Sequence, residues 1–306
     1  MLPEPPNGSL RPPMRSLLFV PADSEKKIAK ALSVGADVLI LDLEDAVAAS
    51  NKAAARPMAA TFITATRLKP TRPRLYVRIN AFDTPYWADD IAGVIVARPD
   101  GLMLPKPRSG ADVDRLAKLL DEAETAHGIP RNTTKIIAIA TELPAALFAM
   151  GSFADASPRM EALTWGAEDL SALVGSAATR EPTGVWTSPY LLARNMTLMA
   201  ATASDRQPID TVYANFRDID GLKEECRLAA RDGFTGKMAI HPDQVAHINA
   251  AFTPDAAEIT WAKEIVALFA ANPGAGALSL CGQMIDKPHG VRAERVLARA
   301  KLAGLA

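Results

Sequence analysis

Two apolar stretches of the sequence each end in a carboxylate. KIIAIATE ends at Glu142, and EALTWGAED ends at Asp169. Both stretches have the composition of buried strands, and strands that end at the same edge of a sheet bring their last residues together. Two carboxylates placed in this way can hold one hard divalent cation, because such cations prefer oxygen ligands. An acid at the start of a helix is also a common capping residue, and this is the alternative for Glu168.

Charged or polar residues also follow other apolar runs. They are Asp42, Glu44, Asp45, Arg78, Asn80, Lys106 and His241. Alternate residues of a strand share a face, so Asp42 lies with Glu44 and Arg78 with Asn80. An inward charge is costly unless a ligand or a partner neutralises it. The clustering at strand ends favours a functional site, and a structural ring of salt bridges is the alternative. For His241 we expect a structural turn with the proline that follows it.

The elements that must position these residues alternate regularly. Eight β-rich runs are separated by segments of helical pattern, and the runs are RSLLFVP, DVLILDLED, RLYVRIN, GLMLPKP, KIIAIATE, EALTWGAED, TVYANFRD and GKMAIHP. This alternation predicts an α/β fold, a TIM (β/α)8 barrel, whose catalytic groups lie at the carboxyl ends of the strands. A doubly wound sheet is disfavoured, because no GxGxxG motif follows the first run.

The chain continues well beyond the eighth run. Helical DAAEITWAKEIVALFAAN is followed by the glycine-rich PGAGALSLCGQMIDKPHG and by a last helical segment. We interpret the glycine-rich stretch as a mobile flap that carries Asp286 to the mouth of this barrel or of a neighbour. A surface hairpin with an incidental acid is the alternative. The predicted domains are a flexible leader over 1–14, the barrel over 15–250 and a lid extension over 251–306.

Composition limits the partners of the protein. The 306 residues carry a formal net charge of −1, which provides no overall positive field for nucleic acid or an anionic membrane. The two cysteines, Cys226 and Cys281, are too few for a disulfide framework and indicate a reducing compartment. The proline-rich start has no apolar core of a signal peptide, and no uncharged run is long enough to span a membrane. We therefore expect a cytoplasmic protein.

The ordered motifs resemble one known family. RSLLFVP, LDLEDAV, VRIN, MLPKP, ATELPAA, WGAEDL, GKMAIHPDQV and GQMIDKPH are similar to motifs of the citrate lyase β-subunit-like and malyl-CoA lyase group of the HpcH/HpaI aldolase superfamily. The resemblance implies a TIM barrel with a C-terminal lid, a homotrimer or hexamer, and use of Mg²⁺, or Mn²⁺, beside a coenzyme A thioester. The sequence departs from the family pattern at two motifs: the first run ends VPAD rather than VPG, and TELPAA replaces an IET-type sequence. These changes keep the two metal-binding acids but leave the substrate unspecified.

The resemblance also assigns roles to single residues. It implies that Glu142 and Asp169 are the metal ligands and that Arg78 binds substrate. Glu44 and Asp45 then match acids that hold metal-bound waters. Asp286 matches a catalytic acid supplied by the lid of the adjacent subunit.

Coenzyme A requires a local basic surface for its phosphates. Basic residues near the first and fourth strands are the candidates, and these are Arg15, Lys26, Lys30 and Lys106. Lysines on the first helix are equally compatible with simple solvation.

The predicted function is cleavage of a 3-hydroxyacyl-CoA, such as malyl-CoA or citramalyl-CoA, into acetyl-CoA and glyoxylate or pyruvate, or the reverse Claisen condensation. A thioesterase on the same barrel and a non-catalytic assembly subunit are the alternatives.

Overall fold

The computed structural model describes residues 14–305, and the chain divides into two compact units. Arg15–Asn249 forms the larger unit, and the segment that starts at Ala250 belongs to the smaller one. The leader predicted over 1–14 lies outside the described residues except for Met14. Among the described helices, none combines the length and apolar composition of a bilayer-spanning segment.

The larger unit is a closed barrel of eight strands in sequence order, and β1 closes the barrel on β8. All neighbouring pairs are parallel. The strands are Ser16–Pro21 (β1), Val38–Asp42 (β2), Arg74–Arg78 (β3), Gly101–Leu104 (β4), Lys135–Ile139 (β5), Met160–Thr164 (β6), Gln207–Asp210 (β7) and Gly236–Ala239 (β8). The predicted TIM barrel is confirmed.

Helices separate the strands of the barrel. They are Glu25–Ala31 (α1), Lys52–Thr66 (α2), Trp87–Ile95 (α3), Gly110–Ala126 (α4), Pro144–Leu147 (α5), Glu168–Val174 (α6), Ser188–Ala203 (α7), Ile219–Asp232 (α8) and Gln244–Ala251 (α9). Short 3₁₀ helices cover Ala49–Asn51 and Met150–Phe153. Every residue of β2 and β4 is buried, as expected for strands covered on both faces.

The prediction of the seventh strand at TVYANFRD is wrong. The strand β7 is the preceding QPID segment, which pairs with β6 through Gln207 and Pro208 and with β8 through Ile209 and Asp210. Proline cannot donate to a strand ladder and aspartate is rare in strands, so QPID lacks the usual strand composition. The β-branched and aromatic residues of TVYANFRD instead follow the strand end.

In its described part from residue 252 onwards, the smaller unit contains two helices and a hairpin. Ala256–Ala271 (α10) and Lys287–Leu302 (α11) flank the antiparallel strands Ala277–Leu280 (β9) and Gln283–Asp286 (β10). The two turn residues, Cys281 and Gly282, have φ of 51° and 79°, as tight hairpin turns with the twist of the strands require. A small apolar core joins these elements and consists of Ala262, Ile265, Ile285, Ala293 and Val296.

The amino ends of β5 and β6 are tied together by a buried ionic cluster. Arg159, which precedes β6, donates from Nη1 and Nη2 to the carboxylate of Glu124 at 3.0 and 2.6 Å. Glu124 also accepts the backbone N–H groups of Asn132 and Thr134 at 2.9 and 2.8 Å. Burial acts to raise the pKa of Glu124, but the bonds from Arg159 and Thr134 outweigh it and hold this pKa below its ordinary value.

We expect Glu124→Ala to destabilise the protein by about 3–5 kcal/mol, because it leaves the Arg159 guanidinium buried without its main partner. Denaturant unfolding measures the change. Glu122→Ala removes an exposed acid from the same helix and is expected to stay within about 0.5 kcal/mol of wild type. Equal stability of the two variants would contradict a structural role for the cluster.

Candidate active site

Charged side chains from five consecutive strand ends meet at one mouth of the barrel. Asp42 and Arg78 are the last residues of β2 and β3 and are register partners. The other members follow β2, β4, β5 and β6, and they are Glu44, Asp45, Lys106, Glu142 and Asp169. The sequence therefore predicted this grouping, since carboxyl ends of parallel barrel strands share one face.

Arg78 is held by two parallel hydrogen bonds. Its Nε and Nη2 donate to the two oxygens of Asp42 at 2.8 and 2.6 Å, and its guanidinium lies over the Phe19 ring at 4.8 Å. Asp42 also accepts the backbone N–H groups of Glu44 and Ala46 at 2.9 and 3.2 Å. Nη1 of Arg78 remains directed towards Glu44, 3.1 Å away. Asp42 thus positions both Arg78 and the acidic loop, a role that the sequence reading missed.

Side chains of Lys52 and Asn80 hold the backbone of the loop that carries Glu44 and Asp45. The ammonium of Lys52 donates to the backbone carbonyls of Leu43 and Glu44 at 2.8 and 2.7 Å. The Asn80 amide donates to the Leu43 carbonyl at 2.9 Å. Burial lowers the pKa of Lys52 despite nearby carboxylates. The sequence offered no signal for Lys52, because a lysine at the start of an alanine-rich helix has the pattern of a solvated residue.

Lys106 lies among the acids rather than at the edge of the mouth. Its ammonium is 2.6 Å from Glu44 Oε1, 3.4 Å from Asp169 Oδ1 and 3.6 Å from Asp45 Oδ2. Its backbone N–H donates to Glu142 Oε2 at 2.6 Å. Burial acts to lower the pKa of Lys106, but the charges of Glu142 and Glu44 outweigh it and raise this pKa. One residue thus contacts the acid cluster twice, through its main chain and through its side chain.

Glu142 is the most perturbed acid of the cluster. Its side chain is buried, and burial followed by the negative charges of Glu44 and Asp169 raises the pKa of Glu142 to about 8. Gly166 packs against it so closely that a Cβ there would lie 2.7 Å from Glu142 Cγ. A side chain at position 166 would therefore displace the Glu142 side chain from its observed position.

The cluster has the donor set of a magnesium site. Glu44 Oε2 is buried and accepts no hydrogen bond from residues 14–305, although Arg78 Nη1 forms an ion pair with it at 3.1 Å. Burial raises the pKa of Glu44 against the pull of Arg78 and Lys106. Within residues 14–305 no three His, Cys, Asp or Glu side chains converge as a set of metal ligands. Mg²⁺ requires no such set, because it retains several waters and often binds only one or two protein carboxylates. Glu142 and Asp169 fit that requirement.

The structure separates Arg15 from the other predicted coenzyme-binding residues. Arg15 precedes the amino end of β1, opposite the mouth, and its Nε and Nη2 donate to Asp37 at 2.8 Å each. This placement contradicts a role for Arg15 at the mouth, because its guanidinium holds the two strand starts together. Lys26 and Lys30 are exposed on α1, which follows the carboxyl end of β1.

Asp286 belongs to the smaller unit. It is the last residue of β10 and directly precedes α11. Its Oδ1 lies 2.6 Å from Nδ1 of His289, one helical turn further along the chain. The glycine-rich segment forms the β9–β10 hairpin, which fits both a flap and a surface hairpin, and its role as a flap stays a prediction. His241 lies after β8, where its ring stacks on Phe216 at 4.8 Å and its Nδ1 accepts the N–H of Asp243.

The protein is similar in sequence to known lyases and lyase subunits. The citrate lyase subunit beta of Leuconostoc mesenteroides subsp. cremoris is 34% identical over 288 residues, which cover 94% of this chain and 93% of that protein. The mitochondrial citramalyl-CoA lyase of Homo sapiens is 33% identical over 296 residues, covering 90% and 82% respectively.

The solved structures include protein CitE from Mycobacterium tuberculosis in complex with magnesium, acetoacetate and coenzyme A. It is 35% identical, has a TM-score of 0.77, and the alignment covers 94% of this chain and 98% of that one. The family described as HpcH/HpaI aldolase/citrate lyase matches residues 15–242. The match extends over the whole barrel to the residue after His241, and the chain belongs to the HpcH/HpaI aldolase/citrate lyase family.

Proposed function

We propose that this protein is a magnesium-dependent CoA ester lyase. It cleaves a 3-hydroxyacyl-CoA, citramalyl-CoA or malyl-CoA, into acetyl-CoA and pyruvate or glyoxylate, and it catalyses the reverse condensation. The observation that carries the proposal is the buried carboxyl of Glu142 beside Asp169 and Glu44: burial and the negative charges of these neighbours disfavour its ionised form and raise its pKa to about 8, and a bound divalent cation would stabilise that ionised form. The magnesium, acetoacetate and coenzyme A bound by protein CitE support this choice of metal and substrate class.

Glu142 and Asp169 would hold the metal, with Mn²⁺ as a possible substitute for Mg²⁺. When bound, the ion would polarise the oxygens of the 2-keto acid as a Lewis acid. Glu44 and Asp45 would hold its waters, and Nη1 of Arg78, the edge that Asp42 leaves available, would bind the substrate carboxylate or the enolate oxygen.

Cleavage requires two proton transfers. A carboxylate of the cluster takes the proton of the 3-hydroxyl group, which becomes the carbonyl of the keto acid. The electrons of the broken C–C bond pass to the thioester side and form an enolate, and Arg78 stabilises its negative charge. Asp286 then donates a proton to the enolate carbon, which becomes the methyl group of acetyl-CoA. In the condensation direction the ionised Asp286 removes that proton.

The proposed role of Asp286 as proton donor also concerns the oligomeric state of the protein. We propose that the segment after residue 250 acts as a lid and that a homotrimer or a hexamer delivers Asp286 to a neighbouring subunit. Lys26 and Lys30, which are exposed on α1, would face the phosphates of coenzyme A, and Lys106 would do so only after its ammonium leaves Glu44 and Asp169. Both cysteines are free thiols, which supports a reducing compartment such as the cytoplasm.

The protein with Mg²⁺ is expected to convert citramalyl-CoA to pyruvate or malyl-CoA to glyoxylate, with acetyl-CoA in equal amount. Excess chelator should stop the reaction. Glu142→Gln should reduce kcat/KM by at least about 100-fold, because it removes one metal ligand. Glu168→Gln changes an exposed neighbour of Asp169 and serves as the matched control. Release of free CoA together with the free hydroxy acid, without keto acid, would identify a thioesterase instead.

Arg78→Lys should lower kcat by about 100- to 1,000-fold, although it keeps the charge, because an ammonium cannot bind Asp42 and the substrate at the same time. Arg72→Lys is a suitable control. Arg72 makes a similar two-point contact with Asp100 before the amino end of β3, at 2.5 and 3.0 Å. Steady-state kinetics on both variants measure the difference, and equal activities would remove Arg78 from the chemistry.

Asp286→Asn should retain metal and keto-acid binding but lose exchange of the acetyl-CoA methyl protons with solvent deuterium, read by NMR. If Asp286 acts in a neighbouring subunit, chains with Asp286→Asn and chains with Glu142→Ala should complement each other when refolded together. Random pairing allows at most about a quarter of wild-type activity. No recovery in proven mixed oligomers would place Asp286 in its own subunit or outside the reaction.

A further inference from the structure

The position of the Lys106 ammonium has a consequence for metal binding. Among residues 14–305, only Arg78 and Lys106 form ion pairs with Glu44, Asp45 or Asp169. Both hydrogen bonds that Arg78 makes through its side chain go to Asp42. Lys106 is therefore the main counter-ion for the acids that remain, and it stands among the carboxylates that a divalent cation would use.

Lys106 contacts the cluster through its backbone N–H and through its ammonium, and each contact can be lost without the other. The backbone N–H that binds Glu142 belongs to a residue with φ of 50°, an uncommon conformation for a lysine. That contact depends on the main chain alone. The ammonium is at the end of a flexible four-carbon stem, so it can leave Glu44 and Asp169 while Glu142 stays in place.

We propose that the Lys106 ammonium competes with the divalent cation for Asp169 and with the waters of that cation for Glu44. In the metal-free protein the Lys106 ammonium compensates part of the negative charge of the cluster, and metal binding displaces it from Glu44 and Asp169. The displaced ammonium is then available to an anionic substrate. Lys106 is in this sense a positioning residue that sets metal affinity, and the inference rests on the proposed metal dependence.

If Lys106 competes with the metal, removal of its charge should strengthen Mg²⁺ binding. If Lys106 only supported the site, the same change should weaken Mg²⁺ binding or leave it unchanged. Lys106→Met keeps an unbranched stem of four heavy atoms and the main-chain contact of the residue but removes the ammonium and its charge. The acids then bind a divalent cation without first displacing an ammonium, so Mg²⁺ should bind about 10-fold more tightly. The metal-free variant should also be less thermostable, because like charges are crowded without their counter-ion, and Mg²⁺ should raise its Tm more than that of wild type.

Calorimetric titration with Mg²⁺ alone, without substrate, tests the proposal on the full chain. The panel comprises wild type, Lys106→Met, Lys106→Gln and the control Lys118→Met, which changes an exposed lysine of α4. Tighter binding in the two Lys106 variants, with the control unchanged, is the expected result. Unchanged or weaker binding in these variants, while wild type binds Mg²⁺, overturns the inference alone. Absence of Mg²⁺ binding in every protein overturns the proposed metal dependence as well.

A second measurement uses the wild-type protein and needs no variant. Mg²⁺ should accelerate labelling of the Lys106 amine by a lysine-directed reagent, followed by peptide mass spectrometry, because the ion pairs that protect it are released. Labelling of Lys118 provides the internal reference. A Lys106 rate that Mg²⁺ leaves unchanged or lowers would show that the ammonium stays with the acids and would overturn the proposal.

Discussion

The two-point contact between Arg78 and Asp42 is the interaction on which the mouth of the barrel depends. It joins the ends of two neighbouring strands, and through Asp42 it also holds the backbone of the loop that carries Glu44. Charge-assisted hydrogen bonds of this kind contribute about 1.5–3 kcal/mol each. Because both partners are largely buried, loss of either one leaves a charge without compensation. Nε and Nη2 of the guanidinium thus hold the two strand ends together, and Nη1 faces Glu44 of the acid cluster.

Buried acids at the two ends of the barrel differ in how far neighbouring groups compensate their charge. At the amino ends of β5 and β6, Glu124 receives hydrogen bonds from Arg159 and from two backbone N–H groups, and its pKa is lowered. At the carboxyl ends, Glu142 has one such bond from Lys106 and negative neighbours, and its pKa rises to about 8. The satisfied cluster serves stability. The under-compensated cluster is the one for which we propose a bound cation, and it lies at the face where TIM barrels carry their catalytic groups.

Some expectations from sequence failed for identifiable reasons. The seventh strand was misplaced because QPID has a proline, an aspartate and only one residue type that is enriched in strands, Ile209, while the loop after it has several. Arg15 was grouped with the coenzyme-binding residues because it is basic and close to the first strand, but it lies before that strand and bonds to Asp37. Lys52 and Asp42 were not recognised as supports of the acidic loop, although their contacts lie within nine residues along the chain, because composition and periodicity do not show the direction in which the loop backbone turns.

The sequence by itself determined the barrel, since alternating apolar and helical runs express the local periodicity of its elements. The order of its motifs also determined the family, and both predictions are confirmed. Strand-end residue types further indicated which edge carries charge. Only the tertiary structure decided how those charges pair: that Asp42 holds Arg78, that Lys106 stands among the acids, and that Gly166 makes room for Glu142. Pairing depends on distance, direction and burial across strands far apart in the chain, and local periodicity contains none of these quantities.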